Sequence, residues 1–256
     1  MHEGFTGGAA ERPIDPVPTK GTEPAATEPG RDPVLDDPRI LQVLSTEHWS
    51  LLSARGLAYN EAFTRAAMFL TLLSMSLVAL ALLAGQLPDT QVFLTVGSVV
   101  LGFDFLVGLL TAFRVIGCNV EDGRAMAGMN RIRNGYVQIL PGVAPFFMTD
   151  IHDDIRGVSR SYGFEPGGSM LGDIAYGLST TVGLVVIVDS VIGGATAAMV
   201  AATVGANLGT AVIAGAIVLV LSLVAMVGLA AWMTYASADQ LRPRYPSPDV
   251  AEGDRW

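Results

Sequence analysis

The chain alternates between long stretches with almost no charge and polar segments that hold its basic residues. Residues 66–88 carry no charged side chain, residues 90–113 carry one, and residues 174–238 carry one. A helix needs about 20 apolar residues to cross a bilayer, so the third stretch is long enough for two crossings. The pattern predicts an all-α membrane protein with four transmembrane helices in two hairpins, together with cytoplasmic amphipathic helices.

The basic residues predict the orientation of these helices. All 15 Lys and Arg fall in the N-terminal region, between the hairpins or in the C-terminal region, and the connections at 85–90 and 199–207 contain none. Segments rich in Lys and Arg stay on the cytoplasmic side of a membrane. Arg far outnumbers Lys, and Ala and Gly are abundant, which suggests a bacterial source. We therefore expect a multi-pass protein of the bacterial inner (plasma) membrane with both termini in the cytoplasm.

The composition divides the chain into six predicted segments. They are a disordered acidic cytoplasmic tail at 1–36, a cytoplasmic amphipathic helix at 37–62, transmembrane hairpin 1 at 63–117, a cytoplasmic helical segment and loop at 118–172, transmembrane hairpin 2 at 173–236 and a cytoplasmic tail at 237–256. We expect the first helix to begin at Asp36-Asp37-Pro38, with an Asp cap. We expect Asn119 to cap a further helix that ends at Pro141-Gly142.

Two acidic residues lie within the predicted spans. Asp104 is ten residues, about 15 Å, from Arg114 along the second span, and Asp189 is about 13 residues, roughly 20 Å, from the inner end of the third. Each shares a helix face with small residues, among them Gly108 and Gly193, so both should face the bundle interior. No span offers a cation, so we expect neutral acids, at depths that differ by about 7–8 Å. They mark either a proton or cation path or a hydrogen bond between helices.

Two apolar stripes outside the membrane form a candidate interaction face. Leu44 and Leu51 recur at helical spacing in the first helix, and Met129, Ile132 and Tyr136 do so after the second span. Each stripe needs cover, so the two helices are expected either to dock on each other or to lie flat on the inner leaflet. A cytoplasmic protein partner could also bind here.

No catalytic or cofactor-binding motif is evident in the sequence. The cluster Asp150-Ile151-His152-Asp153-Asp154 has metal-ligand chemistry, but its spacing places His152 off the face that the aspartates share. We interpret it as a solvated acidic turn or helix cap. The single Cys118 excludes an intrachain disulfide and a cysteine metal cluster, and the net charge of −9 argues against nucleic acid. We expect no enzyme activity, no cofactor and no metal.

Small residues recur four apart in the predicted spans. The pairs are Ser98/Gly102, Ser179/Gly183, Gly205/Gly209 and Ala211/Gly215. Such spacings let helices approach closely and fit self-association into a homo-oligomer. They also arise by chance in segments rich in Ala and Gly, so the spacing alone leaves both interpretations open.

The run Glu47-His48-Trp49-Ser50-Leu51-Leu52-Ser53-Ala54-Arg55, followed by Tyr59-Asn60-Glu61 and the first span, resembles a family of uncharacterised bacterial four-span integral membrane proteins. The resemblance extends through Met129-Asn130-Arg131-Ile132-Arg133 and the second hairpin, and it implies no activity. Residues 38–140 are also similar in layout, without a shared motif, to the two-span SLATT-type effector domains of nucleotide-signalling defence systems. The chain departs from that layout by its second hairpin.

These observations favour a structural or protein-interaction role in the membrane. Two alternatives stay open. One is a proton or cation transporter or channel component that uses Asp104 and Asp189. The other is a membrane-disrupting effector that is gated by its cytoplasmic helices.

Overall fold

The computed structural model describes residues 33–164 and 177–248, without the side chains of 238–241. Most of the predicted N-terminal tail, the Gly/Pro loop at 165–172 and the last residues of the C-terminal tail lie outside these residues. The helices named below are α1 (Ile40–Ala84), α2 (Thr90–Ile139), α3 (Ile155–Ser161), α4 (Thr181–Thr203) and α5 (Leu208–Leu241). The described residues contain no strand, and short 3-10 helices form at Pro33–Asp36 and Pro141–Phe146.

Four of the helices, α1, α2, α4 and α5, are long and apolar enough to cross a membrane. The chain is therefore an all-α, multi-pass membrane protein with two helical hairpins, as the hydropathy pattern predicts. The 45 residues of α1 and the 50 of α2 would extend about 68 and 75 Å, more than twice the roughly 30 Å of a hydrocarbon core. Each of these two helices thus continues far beyond the membrane without a break.

That continuity corrects the predicted helix starts. No helix begins at Asn119, because α2 runs through it and the backbone N–H groups there already have partners within the helix. Nor do Asp36 and Asp37 cap α1. The helix begins at Ile40, and Asp37 instead accepts hydrogen bonds from the backbone N–H and the guanidinium of Arg39. The predicted end of α2 before Pro141 is confirmed.

The two ends of the bundle differ, and we name them by their contents. The short-loop end carries the turn between α1 and α2 and the turn between α4 and α5, where Gly205 adopts a positive φ of 85°. The long-helix end carries the extensions of α1 and α2, α3 and residues 242–248. Every Arg among the described residues belongs to the long-helix end.

In the membrane layer, α2 and α4 lie at the centre. α2 packs against α1, α4 and α5, and α4 packs between α2 and α5, whereas α1 makes few contacts with α4. The core cluster lies between α1, α2 and α4 and includes Phe69, Leu101, Ala112, Val185 and Ile192. Hairpin 2 closes through Gly194 and Gly215, since a Cβ built on Gly194 would lie 2.8 Å from the Gly215 carbonyl oxygen.

One residue from each of two predicted small-residue pairs therefore contacts another helix of the same chain. Gly215 packs on Gly194, and a Cβ on Gly102 would lie 3.6 Å from Thr196 Cγ2 of α4. Small residues at these positions allow α2, α4 and α5 to approach closely. The spacing is thus used inside one copy of the bundle, and it does not by itself indicate an oligomer.

Candidate functional site

Asp104 lies inside the bundle and has one hydrogen-bond partner among the described residues. Its side chain is in the middle of α2 and is only 1% exposed. Ser76 of α1 donates a hydrogen bond to Asp104 Oδ1 over 3.1 Å. The other carboxylate oxygen, Oδ2, is buried and has no partner among the described residues. Sequence reasoning missed Ser76, although Leu73, Ser76 and Leu80 recur at helical spacing and place a hydroxyl on the inward side of a Leu-rich span.

Asp189 of α4 is more isolated. Its side chain is 0% exposed, and neither of its carboxylate oxygens has a hydrogen-bond partner among the described residues. The carboxylate packs against Gly108 of α2, because a Cβ built on Gly108 would overlap it and would lie 2.9 Å from Phe69 Cε2. Burial of a polar group without a partner costs about 1–3 kcal/mol, and more if it is charged. A hydrogen bond between helices therefore does not explain why Asp189 is buried here.

The two acids lie about one helical turn apart in depth. α2 and α4 run antiparallel, with Gly108 against Asp189 and Gly193 against Phe105. Gly108 follows Asp104 by four residues on the same face of α2, an axial step of about 6 Å. The prediction that both acids face the interior is confirmed. The register between α2 and α4 gives a depth difference of about 6 Å, in place of the 7–8 Å estimated from the sequence.

Within the part of the chain that the structure describes, hydroxyl groups lie near the acids and no cationic side chain does. The apolar stretches of the four long helices carry no Lys, Arg or His. Ser190 next to Asp189 is buried, but its hydroxyl donates to the Val186 carbonyl of its own helix. Ser222 of α5 has a buried hydroxyl without a partner in the described residues. By the register of hairpin 2, Ser222 lies at the depth of Asp189. An unpaired carboxylate here has to be neutralised by a proton or by a bound cation.

Ion pairs at the long-helix end fix how α1 and α2 align. Arg114 of α2 forms two hydrogen bonds of 2.8 Å with Glu61 of α1 and one of 2.9 Å with Glu121. Arg65 also binds Glu61, as its four-residue spacing predicts. Glu61 precedes the uncharged stretch, and its hydrogen bonds to Arg114 and Arg65 lower its pKa to about 2. These pairs hold the register in which Ser76 meets Asp104.

A second polar cluster lies farther from the membrane layer. Arg55 of α1 binds Asp122 of α2 at 2.6 Å, and its guanidinium lies 5.6 Å from the ring centre of Tyr162. The Tyr162 hydroxyl donates a short hydrogen bond to Asp122. Burial raises the pKa of Tyr162, and the hydrogen bond to Asp122 raises it further. This cluster joins α1, α2 and the end of α3.

Asp153 and Asp154 hold the C-terminal segment, which sequence reasoning missed. Asp153 is 0% exposed and accepts from the backbone N–H groups of Arg244 and Tyr245, at 3.0 and 2.8 Å, and from Arg131 at 2.7 Å. Asp154 caps α3 and accepts from the N–H and hydroxyl of Ser247. The interpretation of these acids as a solvated turn is wrong, because they are buried by a segment about 90 residues away; that Asp154 caps a helix is confirmed.

No cluster of His, Cys, Asp or Glu among the described residues could hold a metal ion. Asp150 instead accepts from the N–H groups of Ile151 and His152 and contacts the His152 ring at 2.5 Å. These contacts of Asp150 hold the backbone of the loop that precedes α3.

Two residues of the predicted interaction face, Leu44 and Leu51, lie in the seam between α1 and α2. A Cβ on Gly128 would lie 2.9 Å from Leu51, and one on Gly135 would lie 3.4 Å from Leu44. Met129 and Ile132 are buried, and Tyr136 is half-buried with its ring 6.5 Å from Phe147. The prediction that the two helices dock on each other is confirmed. A partner would have to bind other residues.

The buried acid pair is therefore the part of the described chain whose chemistry is not accounted for by packing. Comparisons with protein-family models, with curated proteins and with solved structures find no match to this chain, so the case for its function rests on the site itself.

Proposed function

We propose that this chain is a membrane transport protein, or a subunit of one, in which Asp104 and Asp189 bind and release a proton. The observation that carries the proposal is Asp189, which is fully buried with neither carboxylate oxygen partnered in the described residues. Intramembrane acids are costly, and they commonly mark proton or ion pathways. A proton is the smallest species that neutralises such a group.

The geometry suits a relay of two steps. Asp104 keeps a hydroxyl donor from Ser76 in either protonation state, whereas Asp189 has no donor among the described residues. In this proposal, water between the two carboxylates carries the proton across their offset of one helical turn. The two acids lie on the central helices α2 and α4, so a small shift between these helices would change the environment of both.

In this proposal the long-helix end faces the cytoplasm of a bacterial cell. All described Arg residues lie there, and the short-loop end has no basic residue. The ion pairs around Glu61 and Arg114 then lie at the cytoplasmic boundary of the membrane. The structural or interaction role and the effector role remain alternatives predicted by the sequence.

The proposal is tested by flux into proteoliposomes that contain the purified protein. With an imposed pH gradient and a membrane potential to drive charge movement, an internal pH dye should report uptake that protein-free liposomes lack. Parallel liposomes with Na⁺ and K⁺ gradients distinguish a proton from a small monovalent cation at the same acids. Absence of flux for all three ions in folded protein would overturn the transport proposal.

A further inference from the structure

The part of α1 beyond the membrane layer carries an exposed row of large apolar side chains. Trp49 is 65% exposed, and Leu52, Tyr59 and Phe63 are also exposed. Gly56 lies between them, and a Cβ built on it would meet no atom of the described residues within 4 Å. We call these five residues the α1 stripe. It lies to one side of the seam with α2, which uses Leu44, Leu51 and Ala58 instead.

The spacing of the α1 stripe is that of a helix pair. Its residues follow one another at steps of three, four, three and four, which is the seven-residue repeat of a left-handed coiled coil. On a straight helix these positions fall within about 80° of one another. A row of this kind fits the side of another helix.

Lipid cannot cover the far part of the α1 stripe. α1 is continuous, and Trp49 precedes the start of the uncharged stretch at Ala66 by 17 residues, about 25 Å along the helix. Leu52 and Gly56 lie about 21 and 15 Å from the same point. The headgroup layer adds only about 5–8 Å to the hydrocarbon core on each side. An exposed apolar patch in water normally marks a binding surface.

The same side of α1 continues into the membrane, where the alternation of three and four residues resumes after two successive steps of four, from Tyr59 to Phe63 and from Phe63 to Ala67. It presents Ala67, Leu70, Ser74, Leu77 and Ala81, and no charged residue interrupts it from Trp49 to Ala81. A shallow groove lined by α1 residues alone, among them Thr71, Ser74 and Val78, runs beside it in the membrane layer. Small residues at such a surface allow close approach of a second helix.

We infer that α1 is the interface of a homodimer, in which the α1 stripes of two copies pair side by side about a two-fold axis along the membrane normal. A single helix that covers the whole of this surface would span the membrane and continue about 25 Å beyond it in the same direction. A second α1 has that length, that orientation and a matching repeat. The open position at Gly56 lets the two helices come closest near the middle of the exposed row.

Cysteine crosslinking in native membranes tests this interface. In a Cys118→Ser background, Gly56→Cys, Phe63→Cys and Ser74→Cys should each give a disulfide-linked dimer on mild oxidation, because a two-fold axis brings equal positions together. Ala54→Cys is the matched control, since Ala54 is exposed two residues from Gly56 but on the other side of the helix. It should give at least about tenfold less dimer.

A second measurement does not depend on disulfides. Single-molecule photobleaching of labelled protein in liposomes should show mainly two steps, and a Trp49→Ser/Tyr59→Ser variant should shift the population to one step. Both side chains are exposed, so the variant should fold as the wild type does. Equal crosslinking at Ala54 and Gly56, an adduct with a different protein in place of the dimer, or one-step bleaching of the wild type would each overturn the inference.

Discussion

The carboxylate of Asp189 lies against the Cα of Gly108, where any larger residue would displace it. This contact sets the depth of Asp189 one turn from Asp104, and it joins the two central helices at the point where both carry an acid. The acid pair is thus defined by the packing of α2 on α4.

Substitution of Gly108 should be costly. Gly108→Ala would place a methyl group in the Asp189 carboxylate and close to Phe69, and overpacking of this kind costs about 1–3 kcal/mol. We expect a lower melting temperature of the purified protein in detergent. Gly123→Ala on the same helix is the control, because its Cβ would meet nothing within 4 Å and Ala favours a helix by up to about 1 kcal/mol over Gly. A Gly108→Ala protein as stable as the Gly123→Ala protein would contradict the packing described here.

Residues 242–248 should detach from the bundle when the hydrogen bonds that Asp153 accepts from them are removed. Asp153 accepts from the N–H of Arg244 and from the N–H of Tyr245, which is the amide of the Arg244–Tyr245 peptide bond, so trypsin should cut this bond slowly in the wild type. Asp153→Ala removes these charge-assisted hydrogen bonds, each worth about 1.5–3 kcal/mol, and cleavage should accelerate by at least about tenfold. Mass spectrometry of the fragments measures the rate. Asp89→Ala, at the short-loop end, should leave it unchanged, and an unchanged rate in Asp153→Ala would show that the segment is not held there.

The contribution of the Arg55–Asp122–Tyr162 cluster to stability should come mainly from the ion pair between Arg55 and Asp122. Asp122→Ala leaves Arg55 half-buried without its carboxylate and should destabilise the protein by about 1–3 kcal/mol. Tyr162→Phe removes one hydrogen bond and keeps the ring beneath Arg55, so its effect should be smaller. Thermal unfolding followed by circular dichroism compares the two variants. The reverse order would show that the hydroxyl contributes more than the ion pair.

The orientation of the chain is open to direct labelling. In a Cys118→Ser background, Thr90→Cys and Gly209→Cys at the short-loop end should react with a membrane-impermeant thiol reagent added to intact cells. Ser45→Cys and Leu140→Cys at the long-helix end should react only after permeabilisation, because the basic segments are expected to stay in the cytoplasm. All four residues are exposed. Labelling of the two ends in the opposite pattern would invert the proposed topology.

The sequence predicts the spans and the inward position of the acids because both follow from local patterns. Uncharged stretches identify crossings, and the small residues beside Asp104 and Asp189 identify the packed face. The continuity of α2 through Asn119 was missed, because Asn has no capping role in a helix that has already begun. The hydrogen bonds that Asp153 accepts from Arg244 and Tyr245, and the contact of Asp189 with Gly108, were also missed. Both join residues about 80–90 positions apart, and no spacing rule predicts them.

The most direct test of the transport proposal compares proton flux in proteoliposomes for wild type, Asp104→Asn, Asp189→Asn and Asp89→Asn. Asn keeps the size of each acid but cannot carry the proton. Asp89 is an exposed helix cap outside the acid pair, so its variant controls for the loss of one carboxylate. We predict that the two intramembrane variants unfold at the wild-type temperature within a few degrees and lose at least about 90% of the flux, while Asp89→Asn retains it. Wild-type flux in a folded Asp104→Asn/Asp189→Asn double variant would contradict the proposed role of the acids.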